Sequence, residues 1–160
     1  MTVTLSLAVA VALFVCDQLI KQWAVASLAP VGSIQVIPEF LRLTYVENYG
    51  AAFGIFQGQR LLLSLVTLAI LVAGIWLLVS GKLHHGIERV CVSLILAGGA
   101  GNLCDRLLRG FVVDYLDINE LFVYPMFNLA DCCVVVGAVL MIFAVLLPDL
   151  KRNRHPNGEN

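Results

Sequence analysis

Charge is scarce in this chain. Only 13% of its 160 residues are Asp, Glu, Lys or Arg, about half the share found in soluble domains. That excludes an ordinary water-facing surface. The net charge of −1 supplies no basic field to attract nucleic acid. Histidine is rarer still. His84, His85 and His155 fall between or beyond the apolar runs, so they give neither metal-ligand spacing nor a partner for Cys–His catalysis. Lys21 is the one lysine inside an apolar run, and Ser27 lies beyond its outer end, which removes a Ser–Lys pair. The five cysteines, Cys16, Cys91, Cys104, Cys132 and Cys133, form no CxxC pair and read as small hydrophobes. No internal repeat or low-complexity tract interrupts the chain. No metal and no cofactor is expected.

Apolar residues are abundant, at 60%. They gather into four runs, residues 5–26, 61–79, 87–107 and 127–147. Each is long enough for a hydrocarbon core of about 30 Å, which takes roughly 20 residues. The pattern predicts an all-α membrane protein of four transmembrane helices. A single domain then occupies residues 1–150, followed by a polar tail at 151–160. The first run reads as a span and not a cleaved leader, because no basic flank precedes it and it exceeds the usual apolar length of about 7–15 residues. Four spans put both termini on one side. Lys82, His84, His85 and Arg89 cluster near the second connection, and Lys151, Arg152 and Arg154 crowd the tail. That density favours a cytoplasmic position for both, over Arg42, Arg60, Arg106 and Arg109, which are spread across the other two connections.

The two outer connections carry patterns of their own. In residues 27–60, Ile34, Val36, Leu41, Leu43 and Tyr45 follow a loose period of two, broken at Pro38. This predicts short strands and a small sheet on the membrane surface. Residues 108–126, containing "GFVVDYLDINELFVYP", read as an amphipathic segment along the interface.

The polar residues within the runs agree in depth. At about 1.5 Å per residue, Asp17 and Lys21 lie roughly 18 and 24 Å above the inner end of the first span. Asn102, Asp105 and Arg106 lie roughly 22–29 Å up the third. Asp131 sits about 6 Å below the outer start of the fourth, and Asp114 lies in the adjoining outer segment. One polar pocket near the outer interface accounts for all of them. Each also has a plainer reading. Asp17 and Lys21 are spaced to pair on one helix face. Asn128 and Asp131 suit a helix start. Asp105 and Arg106 suit a span end at the headgroups, Asp114 and Asp117 suit solvated loop acids, and "GGAGN" at 98–102 suits close helix packing. For chemistry, two carboxylates remain. Asp114 and Asp131 flank one connection, and two neighbouring carboxyls do not readily both ionise. The ionised one takes a proton from water while the other protonates or polarises a carbonyl. A transporter using acids as a relay would place them at several depths, yet Glu88 and Asp149 stand only at the inner edges. A non-enzymatic assembly factor would not need Asp114 together with Asp131.

Asp17-x-x-x-Lys21, "ENYGAAFG" from Glu47, "GNLCDR" from Gly101, "VVDY" around Asp114 and "FNLAD" from Phe127 occur in one order. The set, spanning about 17–137, resembles the bacterial lipoprotein signal peptidases, signal peptidase II. The resemblance implies an intramembrane aspartyl endopeptidase that cleaves the signal peptide from diacylglyceryl-modified prolipoproteins just before the lipidated cysteine. It implies Asp114 and Asp131 as the catalytic pair, with Asn48, Asn102, Arg106 and Asn128 lining the substrate site. Asp17, Lys21 and Asp105 are expected to be structural polar residues. Residues 27–60 correspond to a cradle and 108–126 to a flap. The implied setting is the bacterial cytoplasmic membrane, with both termini cytoplasmic and the site near the outer face. Partners would be lipid-modified prolipoproteins and membrane lipids, with no nucleic acid, the enzyme acting as a monomer. Cys132 stands where a small polar residue is expected, and Glu47 occupies a variable slot. Only the motif register separates Asp114 from Asp117.

Overall fold

In the computed structural model, residues 2–51, 55–83, 85–118 and 124–153 are described, with side chains as far as Leu146. Parts of the "ENYGAAFG" motif and of the flap-like segment, together with His84, Arg154 and His155, lie outside the described residues.

Four long helices dominate. They are α1 (Val3–Trp23), α2 (Arg60–Val79), α3 (Gly86–Leu108) and α4 (Leu129–Asn153). Thr2 caps α1 by accepting a hydrogen bond from the Leu5 amide at 3.2 Å, which satisfies one of the amides a helix start leaves unpaired. The helix then continues as a π-helical turn, Ala24–Leu28. The stretches Val3–Leu28, Arg60–Val79, Gly86–Leu108 and Leu129–Leu146 are long and apolar enough to cross a membrane. The protein is a multi-pass membrane protein.

α3 is the central helix. Of its span, 56% is buried, against 17% in each of the other three, and it packs on α1, α2 and α4. Its low apolarity fits that position, since this helix exchanges lipid contact for protein contact. Close approach depends on its glycines. A Cβ at Gly98 would collide with the Ala130 carbonyl at the head of α4, and one at Gly101 with the Asp17 carboxylate on α1. Away from these seams the helices present apolar side chains outward, among them Leu19, Leu61, Val72 and Ile142, as lipid-facing surfaces do.

Beyond one end of the bundle lies a three-stranded antiparallel sheet in the order β1 (Ser33–Ile37), β2 (Leu41–Asn48), β3 (Val112–Asp117). Val113 and Tyr115 of β3 bury against Ala24 and Leu28, which fixes the sheet to the end of α1. The first two strands fall where the alternating pattern placed them. β3 lies within the amphipathic segment 108–126, where the sequence pattern marks no strand, and its six residues complete the sheet. After residues 119–123 the chain returns to β3, with Phe127 bridging Leu116, and α4 begins beside it.

Two span boundaries also move. α4 starts at Leu129, since Phe127 and Asn128 are held by β3 and by the cap. Its backbone stays helical to Asn153, three residues into the polar tail. Hydropathy marks the membrane limit there, not the end of the helix.

Candidate active site

α4 begins with four amide groups that its own carbonyls cannot satisfy. Side chains from β3, from α1 and from the cap itself satisfy them. The Leu129 amide donates to the Tyr115 hydroxyl at 3.1 Å. The Ala130 amide donates to Asp17 Oδ1 at 3.0 Å. The Asp131 amide donates to Asn128 Oδ1 at 2.9 Å, and the Asn128 amide donates back to Asp131 Oδ2 at 3.2 Å. Asn128 and Asp131 therefore form a reciprocal cap. The head of α4 is clamped by α1, β3 and its own first turn, and the Asp131 carboxyl is held with it.

Asn128 also reaches the other acid. Its Nδ2 donates to Asp114 Oδ1 at 2.7 Å, so one residue touches both carboxyls. Asn48, at the end of β2, donates from Nδ2 to Asp114 Oδ2 at 2.9 Å. Asn102 donates from Nδ2 to Asp131 Oδ1 at 2.7 Å. Three carboxamides thus line the acids, each turning its NH2 group towards them. Asn48 is held in this sense by the Gly50 amide, which donates to its Oδ1 at 2.9 Å.

Asp114 and Asp117 are both buried, which rules out the solvated-loop reading for either. Strand alternation turns their side chains to opposite faces of β3. Asp117 pairs with Arg42 at 3.0 Å and accepts from Thr44 at 3.0 Å, a setting separate from Asn48 and Asn128. Asp114 has its carboxyl pushed up to about 7, first by burial and then by the charge of Asp131. Hydrogen bonds from Asn48 and Asn128 and the charge of Lys21 oppose that shift. Burial also pushes the Tyr115 phenol well above its usual range, so it serves the α4 cap as a neutral hydroxyl.

Asp17 and Lys21 pair at 3.0 Å with the expected i,i+4 spacing. Lys21 goes further than the sequence indicated. It also contacts Asp105 at 3.1 Å and donates to Asn102 Oδ1 at 2.9 Å. Asp105 is wholly buried, pairs with Arg109 and accepts from the Val113 amide at 3.1 Å. It ties α3 to β3 and does not simply end a span.

A cavity of about 310 Å³ opens against Asp131, Asn102, Arg106 and Asn48, with Thr67, Ile70, Ile95, Val112 and Val134 among its walls. Arg106 reaches across to donate to the Gly50 carbonyl at 3.1 Å. A second, apolar groove of about 270 Å³ adjoins it at Asp131, lined by Ile118, Tyr124, Phe127, Cys132, Val135 and Val136. Asp114 borders a third recess, of about 190 Å³, with Asn48, Tyr49 and Met126. Of the residues expected to face substrate, Asn48, Asn102 and Arg106 line the cavity. Asn128 is wholly buried and supports the acids instead. Sequence reasoning passed over Tyr115 and the capping role of Asp17. The tyrosine stood in the "VVDY" motif, but nothing in the sequence pointed it at α4.

A family model described as signal peptidase (SPase) II matches residues 9–147. A lipoprotein signal peptidase of Clostridium acetobutylicum is 42% identical over 149 residues, covering 92% of this chain and 96% of the relative. One from Staphylococcus aureus is 36% identical over 143 residues, covering 88% and 87%. Among solved structures, a bacterial membrane enzyme determined by the in meso method at 2.3 Å resolution superposes with a TM-score of 0.84 at 34% identity. It covers 98% of this chain and 95% of its own.

Proposed function

The chain belongs to the signal peptidase II family, and from that premise we propose that it removes signal peptides from diacylglyceryl-modified prolipoproteins, just before the lipidated cysteine, with Asp114 and Asp131 as its catalytic pair. It is a membrane-embedded peptidase of the aspartic class. The observation that carries the assignment of the pair is the double contact of Asn128, whose backbone amide holds Asp131 and whose side chain holds Asp114.

Hydrolysis of an amide needs one group to take a proton from water and another to give one to the carbonyl. Asp114, titrating at about 7, carries a proton for much of the time at neutral pH. Asp131 then takes a proton from a water molecule whose oxygen attacks the scissile carbonyl carbon, while Asp114 gives its proton to the carbonyl oxygen. The product is a tetrahedral diol. On collapse the C–N bond breaks, Asp131 returns its proton to the leaving nitrogen, and a diol hydroxyl returns one to Asp114. The pair ends as it began. Arg106 and Asn48, on the cavity wall, hold the polar backbone around the scissile bond. The domain runs over residues 1–150, with residues 27–60 as a cradle and 108–126 as a flap. The enzyme acts as a monomer with both termini cytoplasmic and the pair near the outer face.

The test is cleavage of a diacylglyceryl prolipoprotein by the purified protein. Asp114→Asn and Asp131→Asn should each abolish cleavage while the protein still inserts and folds, and Asp117→Asn should retain substantial activity. An inactive Asp117→Asn beside an active Asp114→Asn would transfer the assignment to Asp117.

A further inference from the structure

The mechanism above makes no use of the most deeply buried cation in the described residues. Lys21 is 0% exposed. A lysine has three N–H donors and no acceptor, and each donor has a partner here: Asp17 Oδ2, Asp105 Oδ2 and Asn102 Oδ1. Two carboxylates already balance the charge, so the third contact is not required for neutrality. Its consequence is directional. A carboxamide has an oxygen end that accepts and a nitrogen end that donates. Facing a group that only donates, Asn102 has to present its oxygen. Its nitrogen is thereby turned to Asp131 Oδ1, 2.7 Å away. Asn128 Nδ2 also donates to Asn102 Oδ1, at 3.3 Å, but Lys21 is the nearer donor and the charged one. Without it only this longer, neutral contact keeps the amide from turning its oxygen towards a carboxylate oxygen.

We propose that Lys21 is a positioning residue for the reaction, fixing the Asn102 amide so that its NH2 group holds the Asp131 carboxyl in the orientation that receives the proton of water. The role goes beyond a structural ion pair with Asp17, and it rests on the reading of Asp131 as a catalytic acid. Asn102 transmits the effect, so Lys21 touches no reacting atom. Asp131 is otherwise faced by the Asn128 amide, by the charge of Arg106 on α3 and by Asp114 on β3. Of these only Asn128 reaches the oxygen of Asn102, as a neutral donor at 3.3 Å.

The experiment is a double-mutant cycle between Lys21→Met and Asn102→Ala in the full-length protein, assayed on a diacylglyceryl prolipoprotein in detergent. Removing Lys21 alone leaves Asp17 buried without its cation, so the cycle is run in an Asp17→Asn background. An asparagine there keeps an oxygen for the Ala130 amide, and Asp105 keeps Arg109. Thermal melting in the same detergent verifies folding. The expected result is a loss of about tenfold or more in kcat for Lys21→Met with KM changed by less than about twofold, the signature of an interaction that matters after binding. Asn102→Ala should lose a similar factor, and the double variant should be no worse than Asn102→Ala alone. Losses that multiply, or a folded Lys21→Met variant with unchanged kcat, would overturn the proposal, because a lysine acting only on the fold has no reason to be silent once Asn102 is gone. Asp131→Asn in the same assay separates the premise: full activity there would remove the catalytic reading itself, whereas its inactivity beside an unaffected Lys21→Met would remove only the positioning role.

Discussion

Asp114 carries opposing demands. Both of its oxygens accept hydrogen bonds from amide NH2 groups, yet its setting favours the protonated form, up to about pH 7. The folded protein therefore binds this proton more tightly than the unfolded chain, whose aspartate titrates near 3.8. Stability from that difference is fully present below about pH 4 and is lost as pH rises through about 7. Three units at about 1.4 kcal/mol each set a ceiling of roughly 4 kcal/mol. Asp114→Asn cannot lose a proton, so its melting temperature should gain on the unaltered protein by several degrees between pH 5 and pH 8. The slope is the readout, because the amide leaves one donor facing another and shifts the absolute value. A melting difference that stays flat with pH would contradict the buried-proton account. Activity should fall on the alkaline side as Asp114 ionises and the pair loses its one proton. How far this residue was legible in the sequence is instructive. Its motif register was sufficient to nominate it, but its strand was hidden, because an acid occupies one of the alternating positions and breaks the apolar period. Lys21 was half legible. Its i,i+4 partner Asp17 follows from helix geometry alone, whereas Asp105 and Asn102 depend on how α1 is rotated against α3, which periodicity does not contain.

At the scale of elements, the four spans were readable because hydrocarbon imposes length and apolarity together. What composition did not give is which helix sits in the middle. The answer lies in small residues: α3 is pressed between neighbours because Gly98 and Gly101 leave room for the Ala130 carbonyl and the Asp17 carboxylate. The head of α4 is then caught among α1, α3 and β3, and Asp131 is placed by that catch. Gly98→Ala should push the first turn of α4 away from α3, since the atom it meets is backbone and cannot swing aside. The expected cost is about 1–3 kcal/mol in stability, as for an overpacked core site. At a temperature where the variant is still folded, the kcat loss should exceed the KM change. An unchanged kcat in a folded Gly98→Ala protein would mean that the α3–α4 seam does not set the position of Asp131.

For the whole molecule, the decisive feature is where the pair meets the outside. Asp131 borders both a cavity whose walls carry Asn48, Asn102 and Arg106 and an adjoining apolar groove. Val135 and Val136, in that groove, are half exposed on the outer face of α4, the face a bilayer would cover. A substrate of the proposed kind, arriving from the membrane, would have a signal helix on one side of its scissile bond and a lipidated cysteine on the other. The signal helix alone fixes depth poorly, because a helix can slide and tilt in a bilayer. On the proposed function the acyl chains would add about 0.8 kcal/mol of anchoring per buried methylene and so hold the cysteine at the interface beside the acids. The polar cavity can then take the backbone near Arg106 and Asn48 while the acyl chains stay in the groove or in lipid. On this account cleavage requires prior lipidation. One prolipoprotein with and without its diacylglyceryl group, compared in the same bilayer, should differ sharply in kcat/KM. Widening the groove should matter only for the lipidated form, so Val136→Ala, which lines the groove and not the cavity, should alter its KM and leave residual cleavage of the unmodified form unchanged. Equal rates for the two substrates would remove the lipid requirement while leaving the acid pair intact.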